Sequence, residues 1–191
     1  MSAKRGLLIV ISGPSGVGKD TLIEHLMKLD PNLRYSISYT TRPPRPDEVD
    51  GVNYRFVTRK QFERLIEQGA LLEHATYNGN LYGTPSAPVE EARAAGHDIV
   101  LKIEVQGARL VRQHARDGLF IFLAPPSTEE LVRRQELRKS ESRKDMVERL
   151  RIADKEMTFA PDYDFVVVNN ELERAVAEVL AIIRSARERQ T

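Results

Sequence analysis

An apolar run, Leu7 to Ile11, leads into Gly13-Pro14-Ser15-Gly16-Val17-Gly18-Lys19-Asp20-Thr21. Thr21 to Leu29 follows, with Leu22, Ile23, Leu26 and Met27 on one helical face. A continuously apolar run reads as a strand buried on both faces, so strand, glycine-rich turn and helix in succession commit the chain to an α/β arrangement. The turn also carries chemistry. Its backbone N–H groups aim at one point, and the helix that follows adds the positive end of its dipole. Glycine leaves room for an anion where a side chain would stand, and it supplies φ > 0 where the turn needs it. Lys19 adds a mobile charge suited to β- and γ-phosphates. The spacing fits G-x(4)-G-K-[ST] except at the last place, where Asp20 stands and Thr21 follows. Gly13 through Thr21 are therefore candidate nucleotide-phosphate contacts. An acid at position 20 suits a first helical turn, but beside phosphates it has to point away.

The rhythm continues downstream. Ile99 to Val105, Leu119 to Leu123 and Phe165 to Val168 are strand candidates, and Ser127-Thr-Glu-Glu130 has capping-box spacing for a helix start. Leu172, Ala175, Val176, Val179, Leu180 and Ile183 mark a helical face over three turns. Strands separated by helices imply a parallel sheet with helices on both faces. At 191 residues the chain is long enough for one such domain with small insertions and too short for two full domains.

Two segments break the rhythm. Residues 40–53 hold three prolines, a glycine and three acids, and read as an ordered loop. Strand-like pieces surround it at Tyr35 to Tyr39, Tyr54 to Val57 and Leu71 to Tyr77, so a small subdomain is expected over 35–85. Residues 129–151 carry eight Lys/Arg and six Asp/Glu with few apolar residues, the pattern of a solvated helical hairpin that moves. Composition narrows the remaining classes. Twenty-nine Lys+Arg against 28 Asp+Glu leaves +1, so a strongly basic nucleic-acid binder is not expected, and the basic segment has no interleaved aromatics. No cysteine is present, which excludes disulfides and thiolate chemistry and suits a reducing compartment. Lys4 and Arg5 precede the first apolar run as in a leader, yet the glycine-rich turn follows at once without a cleavage site. Apolar runs of this length cannot span a bilayer. The expected address is the cytoplasm. The histidines (His25, His74, His97, His114) have no metal-ligand spacing and read as structural or surface residues.

The block Ser36-Ile-Ser38-Tyr-Thr-Thr-Arg42-Pro-Pro-Arg45-Pro-Asp-Glu-Val-Asp-Gly51-Val-Asn-Tyr54-Arg-Phe-Val resembles the nucleoside-monophosphate region of guanylate kinases. So do Leu72-Glu73, Gly79-Asn-Leu-Tyr82-Gly-Thr84-Pro, Val105-Gln106-Gly107, Pro125-Pro126-Ser127 and Val167-Val-Asn169, in this order after this phosphate loop. The resemblance implies a P-loop kinase core at 1–34, 86–127 and 152–191, a GMP-binding subdomain at 35–85 and a mobile lid at 128–151. It implies ATP with Mg²⁺ as donor, GMP as acceptor and GDP as product. Gly13, Pro14, Ser15, Gly16, Val17, Gly18, Lys19, Asp20, Thr21 and Asn169 then fall to ATP. Ser38, Arg42, Arg45, Tyr54, Glu73, Tyr82, Thr84 and Glu104 fall to GMP. Lys19 and Arg42, with the lid arginines Arg134, Arg138 and Arg149, become the catalytic set. The chemistry agrees with the residue types. The acceptor oxygen is already ionised, so no general base is required, and catalysis is positioning plus charge neutralisation.

Two departures from the family pattern stand out. The lid reads Leu137-Arg138-Lys139 where the family often has Gly-Arg-Gly, and losing both glycines stiffens the hinge. In Lys102-Ile-Glu104 the usual first acid is a lysine. Strand alternation would put Lys102 and Glu104 on one face, as a pair, and the guanine-binding role does not carry over to Lys102. Two other functions compete. The Gly-Lys-Asp of the turn is similar to ribose 1,5-bisphosphate phosphokinases, whose sugar-phosphate acceptor needs neither a guanine-reading carboxylate nor the full arginine block. A silent guanylate-kinase-like interaction module typically loses the loop lysine and glycines, all kept here.

Overall fold

The computed structural model describes residues 4–136 and 151–190. In chain order the elements are β1 (Leu8–Ser12), α1 (Lys19–Leu29), β2 (Leu33–Tyr35), β3 (Tyr39–Thr40), β4 (Arg55–Phe56) and α2 (Arg59–Glu67). Then come β5 (Leu71–Tyr77), β6 (Asn80–Pro85), α3 (Ser86–Ala94), β7 (Asp98–Lys102), α4 (Val105–His114), β8 (Leu119–Ala124) and α5 (Thr128–Glu136). Helical residues 151–157 (α6), β9 (Phe165–Val168) and α7 (Leu172–Arg189) complete the described chain. Two compact units divide it, Met1–Ile9 with Asn32–Gly118, and Val10–Pro31 with Leu119–Thr191, so β1 runs through both.

The first unit holds two sheets. In one the order is β2-β7-β1, with β2 and β7 parallel and Leu33 opposite Asp98. Ile99, Val100 and Leu101 are buried, as a strand covered on both faces requires. Buried Asp98 accepts the Leu7 N–H at 2.7 Å. The other sheet has the order β4-β3-β6-β5. Its long hairpin turns at Asn78-Gly79, both at positive φ (45° and 76°), the dihedrals a two-residue hairpin turn demands. That turn fixes a register in which Tyr82 faces Ala75 and Thr84 faces Glu73. The register shifts between Leu71 and Glu73. Helix α2 starts in a capping box between Thr58 and Gln61 and buries Phe62 completely.

Within the second unit the strand order is β1-β8-β9, with β8 and β9 parallel, Ile121 opposite Phe165 and Ala124 opposite Val168. Strand β8 is buried along its whole length. Ala175, Val176, Val179, Leu180, Ile183 and Ala186 form the buried face of α7, which packs on α1. Arg187 and Asp30 pair at 2.6 Å. A parallel sheet flanked by helices is the α/β architecture read from the sequence, and among the described residues no helix is long and apolar enough to cross a membrane.

Three expected strands are shorter than read, and of Tyr54 to Val57 only Arg55–Phe56 form β4. Tyr35 to Tyr39 is not one strand. Tyr35 ends β2, paired with β7, while Tyr39 opens β3, paired with β4 and β6, and Ser36 to Ser38 carry the chain from one sheet to the other. Ile99 to Val105 stops being strand at Lys102, because Glu104 caps α4, whose Val105, Ala108 and Val111 turn inward at helical spacing. Arg134 lies in α5, while Arg138, Arg149 and most of the expected lid lie outside the described residues.

Candidate active site

The second unit shapes the glycine-rich turn into a cradle. Gly13, Gly16 and Gly18 have φ of 143°, 89° and 100°, conformations that other residues rarely adopt. Gly18 is also the N-cap of α1, and a Cβ there would stand 2.6 Å from the Asn169 Nδ2. Asn169 follows β9, is buried, and donates that Nδ2 to the Val17 carbonyl at 2.8 Å, while its own N–H reaches the Ala124 carbonyl. Its side chain braces the turn. Lys19 Nζ donates to the Gly13 carbonyl and, at 3.1 Å, to that of Pro14, so the lysine is folded over the mouth of the loop. Ser15 is partly exposed; Asp20 and Thr21 are exposed in the first turn of α1.

The first unit assembles a second cluster from both of its sheets. Register puts Thr84 across from Glu73, and the Thr84 hydroxyl donates to Glu73 Oε1 at 2.6 Å. Glu73 is 6% exposed. Gly107, on the first turn of α4, lies against it: a Cβ there would stand 2.5 Å from Glu73 Oε2. Glu104 is the N-cap of the same helix, and its Oε2 is buried without a hydrogen-bond partner. Burial pushes the Glu73 carboxyl up from an ordinary 4.5 to about 7; hydrogen bonding from Thr84 opposes the rise and the Glu104 charge adds to it. The shared strand face expected for Lys102 and Glu104 does not exist. β7 has ended before Glu104, and Lys102 is buried with Nζ 4.7 Å from the centre of the Tyr54 ring.

The Glu73 shift makes stability depend on pH with a definite sign. The folded pKa lies above the unfolded one, so between pH 4.5 and about 7 the native state keeps a proton that the unfolded chain releases. The associated stability, about 3 kcal/mol from about 1.4 per pH unit, is fully present below pH 4.5 and lost as pH rises through 7. Urea unfolding from about pH 4.5 to about pH 8, for the parent and for Glu73→Gln, checks this. The variant's stability should gain on the parent's by that amount across the range. A pH-independent difference would contradict the assignment.

Arginines and tyrosines form a further cluster in the same unit. Arg42 Nη2 donates to Glu48 Oε1 at 2.8 Å, and the Arg45 N–H donates to Glu48 Oε2 at 2.8 Å. Burial tends to raise the Glu48 pKa, but the bonds from Arg42 and Arg45 win and hold it below the usual range. The Arg42 guanidinium lies 5.6 Å from the Tyr54 ring centre, and Tyr54 meets Tyr82 edge-on at 5.9 Å. Ser38 is buried and its carbonyl accepts the Arg55 N–H; Arg45 is largely exposed. Arg42, Tyr54 and Tyr82 are thus brought together, as are Glu73 and Thr84 with Glu104 nearby. Sequence reading missed Glu48, the anion that holds Arg42, and Gly107. Both stand in the quoted motifs, where only their contacts reveal a role.

The guanylate kinase family model matches residues 5–186. The chain belongs to the guanylate kinase family. It is 48% identical to the guanylate kinase of Desulfitobacterium hafniense over 96% of this chain and 92% of that one. For the Halalkalibacterium halodurans guanylate kinase the values are 50%, 96% and 90%, and for a Thermus thermophilus guanylate kinase they are 49%, 99% and 84%. The crystal structure of guanylate kinase from Anaplasma phagocytophilum superposes with a TM-score of 0.82 at 34% identity, covering 97% of this chain and 88% of that one. Shikimate kinase from Bacteroides thetaiotaomicron shares the fold alone, with a TM-score of 0.51 at 16% identity over 93% of this chain and 98% of that one.

Proposed function

We propose that this guanylate kinase transfers the γ-phosphoryl group of ATP to GMP with the two clusters described above as donor and acceptor half-sites. One observation carries the acceptor assignment: a buried carboxylate, Glu73, held by Thr84 beside a second carboxylate whose Oε2 has no hydrogen-bond partner. Guanine presents N1–H and N2–H₂ as adjacent donors and O6 as an acceptor. Glu73 takes the two donors, Glu104 takes a remaining N–H, and the Ser38 hydroxyl serves O6, while the Thr84 hydroxyl, whose one proton goes to Glu73 Oε1, holds that carboxylate against the base. Arg42 and Arg45, with the Tyr54 and Tyr82 hydroxyls, hold the GMP phosphate, and Glu48 keeps Arg42 aimed until the phosphate takes its place.

On the donor side Gly13 to Thr21 wrap the triphosphate and Lys19 neutralises its β- and γ-oxygens. Mg²⁺ bound with ATP would offset the negative charge of the polyphosphate. Asp20 and Thr21 bring a carboxylate and a hydroxyl to that end of α1, hard oxygen donors of the kind Mg²⁺ takes. Asn169, bonded to the loop backbone, sets the edge on which the adenine rests. The GMP phosphate oxygen attacks the γ-phosphorus, the bond to the β–γ bridging oxygen breaks, and ADP leaves. Arg42 and the lid arginines Arg134, Arg138 and Arg149 stabilise the charge spread over the transferring group. The subdomain at 35–85 and the lid at 128–151 supply these groups to a P-loop core, and the cytoplasm is the compartment we assign.

A coupled assay of ADP formation, with ATP and either GMP or ribose 1,5-bisphosphate, tests the reading. Rapid turnover is expected with GMP and background with the sugar phosphate. Turnover with the sugar phosphate alone would transfer the site to the phosphokinase chemistry, and turnover with neither would make the chain a binding module.

A further inference from the structure

Asn169 is a buried amide, and its bonds run to two different parts of the second unit. Its N–H donates to the Ala124 carbonyl at 2.8 Å, which extends the β8–β9 pairing one residue past Val168. Its side chain leaves the sheet and donates Nδ2 to the Val17 carbonyl at 2.8 Å, a bond between residues 152 apart in sequence. The amide sits so near the loop that a Cβ on Gly18 would stand 2.6 Å from Nδ2. The start of the loop is seated on β8 in the same way, since a Cβ on Gly13 would run into the Leu123 carbonyl.

A trans peptide is planar, and its C=O and N–H point to opposite sides. The Val17 carbonyl and the Gly18 N–H belong to one peptide unit. With the carbonyl held on Asn169, the Gly18 N–H points away from Asn169. Gly18 has φ 100° and ψ 22° and no Cβ, so little in its own sterics resists a rotation of that peptide. The bond from Asn169 restrains what the glycine leaves free.

We propose that Asn169 is a positioning residue for the donor's triphosphate: by latching the Val17 carbonyl it aims the Gly18 N–H, at the head of α1, at a phosphate oxygen. The inference rests on the donor half-site assigned above, and it adds to the adenine contact named there a task that needs no base. N–H groups at a helix start favour an anion. A latched one keeps its direction before the ligand arrives, so less ordering is left for binding to impose. The contribution therefore belongs to the polyphosphate and does not depend on the base attached to it.

Calorimetric titration with ATP and with inorganic triphosphate, which has no base, separates the two tasks. Asn169→Leu keeps the approximate volume, adds no charge and removes the donor. It should weaken triphosphate binding roughly tenfold, the scale of one hydrogen bond to a charged group, and ATP binding by at least as much. GMP binding should stay within twofold of the parent. In the parent, the Gly18 amide proton should move downfield in the NMR spectrum when triphosphate binds, and in Asn169→Leu that displacement should shrink by at least half. Loss of ATP affinity with triphosphate held within twofold would reduce Asn169 to an adenine contact and overturn the proposal, as would an undiminished Gly18 displacement. A parallel loss of GMP binding would make Asn169 a residue of the fold and overturn it too. Lys19→Ala is the control for the half-site. If it spares triphosphate binding, the donor assignment fails; if it weakens triphosphate while Asn169→Leu does not, the inference about Asn169 alone fails.

Discussion

Replacing Lys19 by alanine lowers phosphoryl transfer by roughly 10²–10³-fold or more while the chain stays folded. The scale is that of removing one preorganised donor from a site where transition-state charge develops. The structural cost is small for a local reason. The Lys19 side chain bonds to the Gly13 and Pro14 carbonyls of its own loop, and the turn's shape is set elsewhere, by glycines at positive φ and by Asn169 bonded to Val17. Losing those two bonds loosens the loop without opening the core, so the melting temperature should move by no more than a few degrees. The decisive measurement is kcat at saturating ATP, Mg²⁺ and GMP, compared with GMP binding alone. Turnover near the parent's would mean that Lys19 does not meet the transferring group. A parallel collapse of GMP binding would mean that the variant had lost its fold.

Legibility differed between the two half-sites for physical reasons. The donor loop is local. Strand, turn and helix are contiguous from Leu8 to Leu29, and each glycine's conformation follows from the chain alone. The acceptor cluster is assembled from separated segments, and residue types announced its members only through the family resemblance. Some signals were nevertheless present and unread. Asn78-Gly79 between Tyr77 and Asn80 is a hairpin turn, and it would have given β6 and the Glu73–Thr84 pairing. Thr58-x-x-Gln61 has the spacing used to place α5, and it marks α2. β6 was hidden by Gly83 and Pro85, residues that argue against a strand. Gly83 is there because a Cβ would stand 2.9 Å from both Leu71 Cδ1 and Phe62 Cζ. The end of β7 was hidden by β-branched Ile103 and Val105, which read as strand until α4 is seen to bury Val105. Glu48 and Lys102 were not legible as they stand. What defines each is a partner brought in by tertiary packing, Arg42 for one and the Tyr54 ring for the other.

Base choice carries the other large effect, and Glu73→Gln exposes it. The parent carboxylate accepts from Thr84 through Oε1, and its Oε2 lies against Gly107, a contact that leaves no room for a side chain. An amide keeps the shape and changes the polarity. If its oxygen keeps the Thr84 hydroxyl, its NH₂ group faces the N–H donors of guanine, donor against donor. If it flips, Thr84 loses its acceptor in a buried site. Either arrangement leaves a buried polar group unpaired, which is how polar sites discriminate strongly between ligands. Adenine has no N2 amine, and its N1 is an acceptor to which the new NH₂ can donate, so it is spared what guanine loses. We therefore expect kcat/KM for GMP to fall roughly a thousandfold, with AMP unchanged or slightly improved, so that the GMP/AMP ratio narrows by at least the same factor. Glu104 is the rival carboxylate, and Glu104→Gln supplies the comparison. Should the Glu73→Gln enzyme hold the parent's preference for GMP while Glu104→Gln loses it, the base is read from the cap of α4 and not from β5.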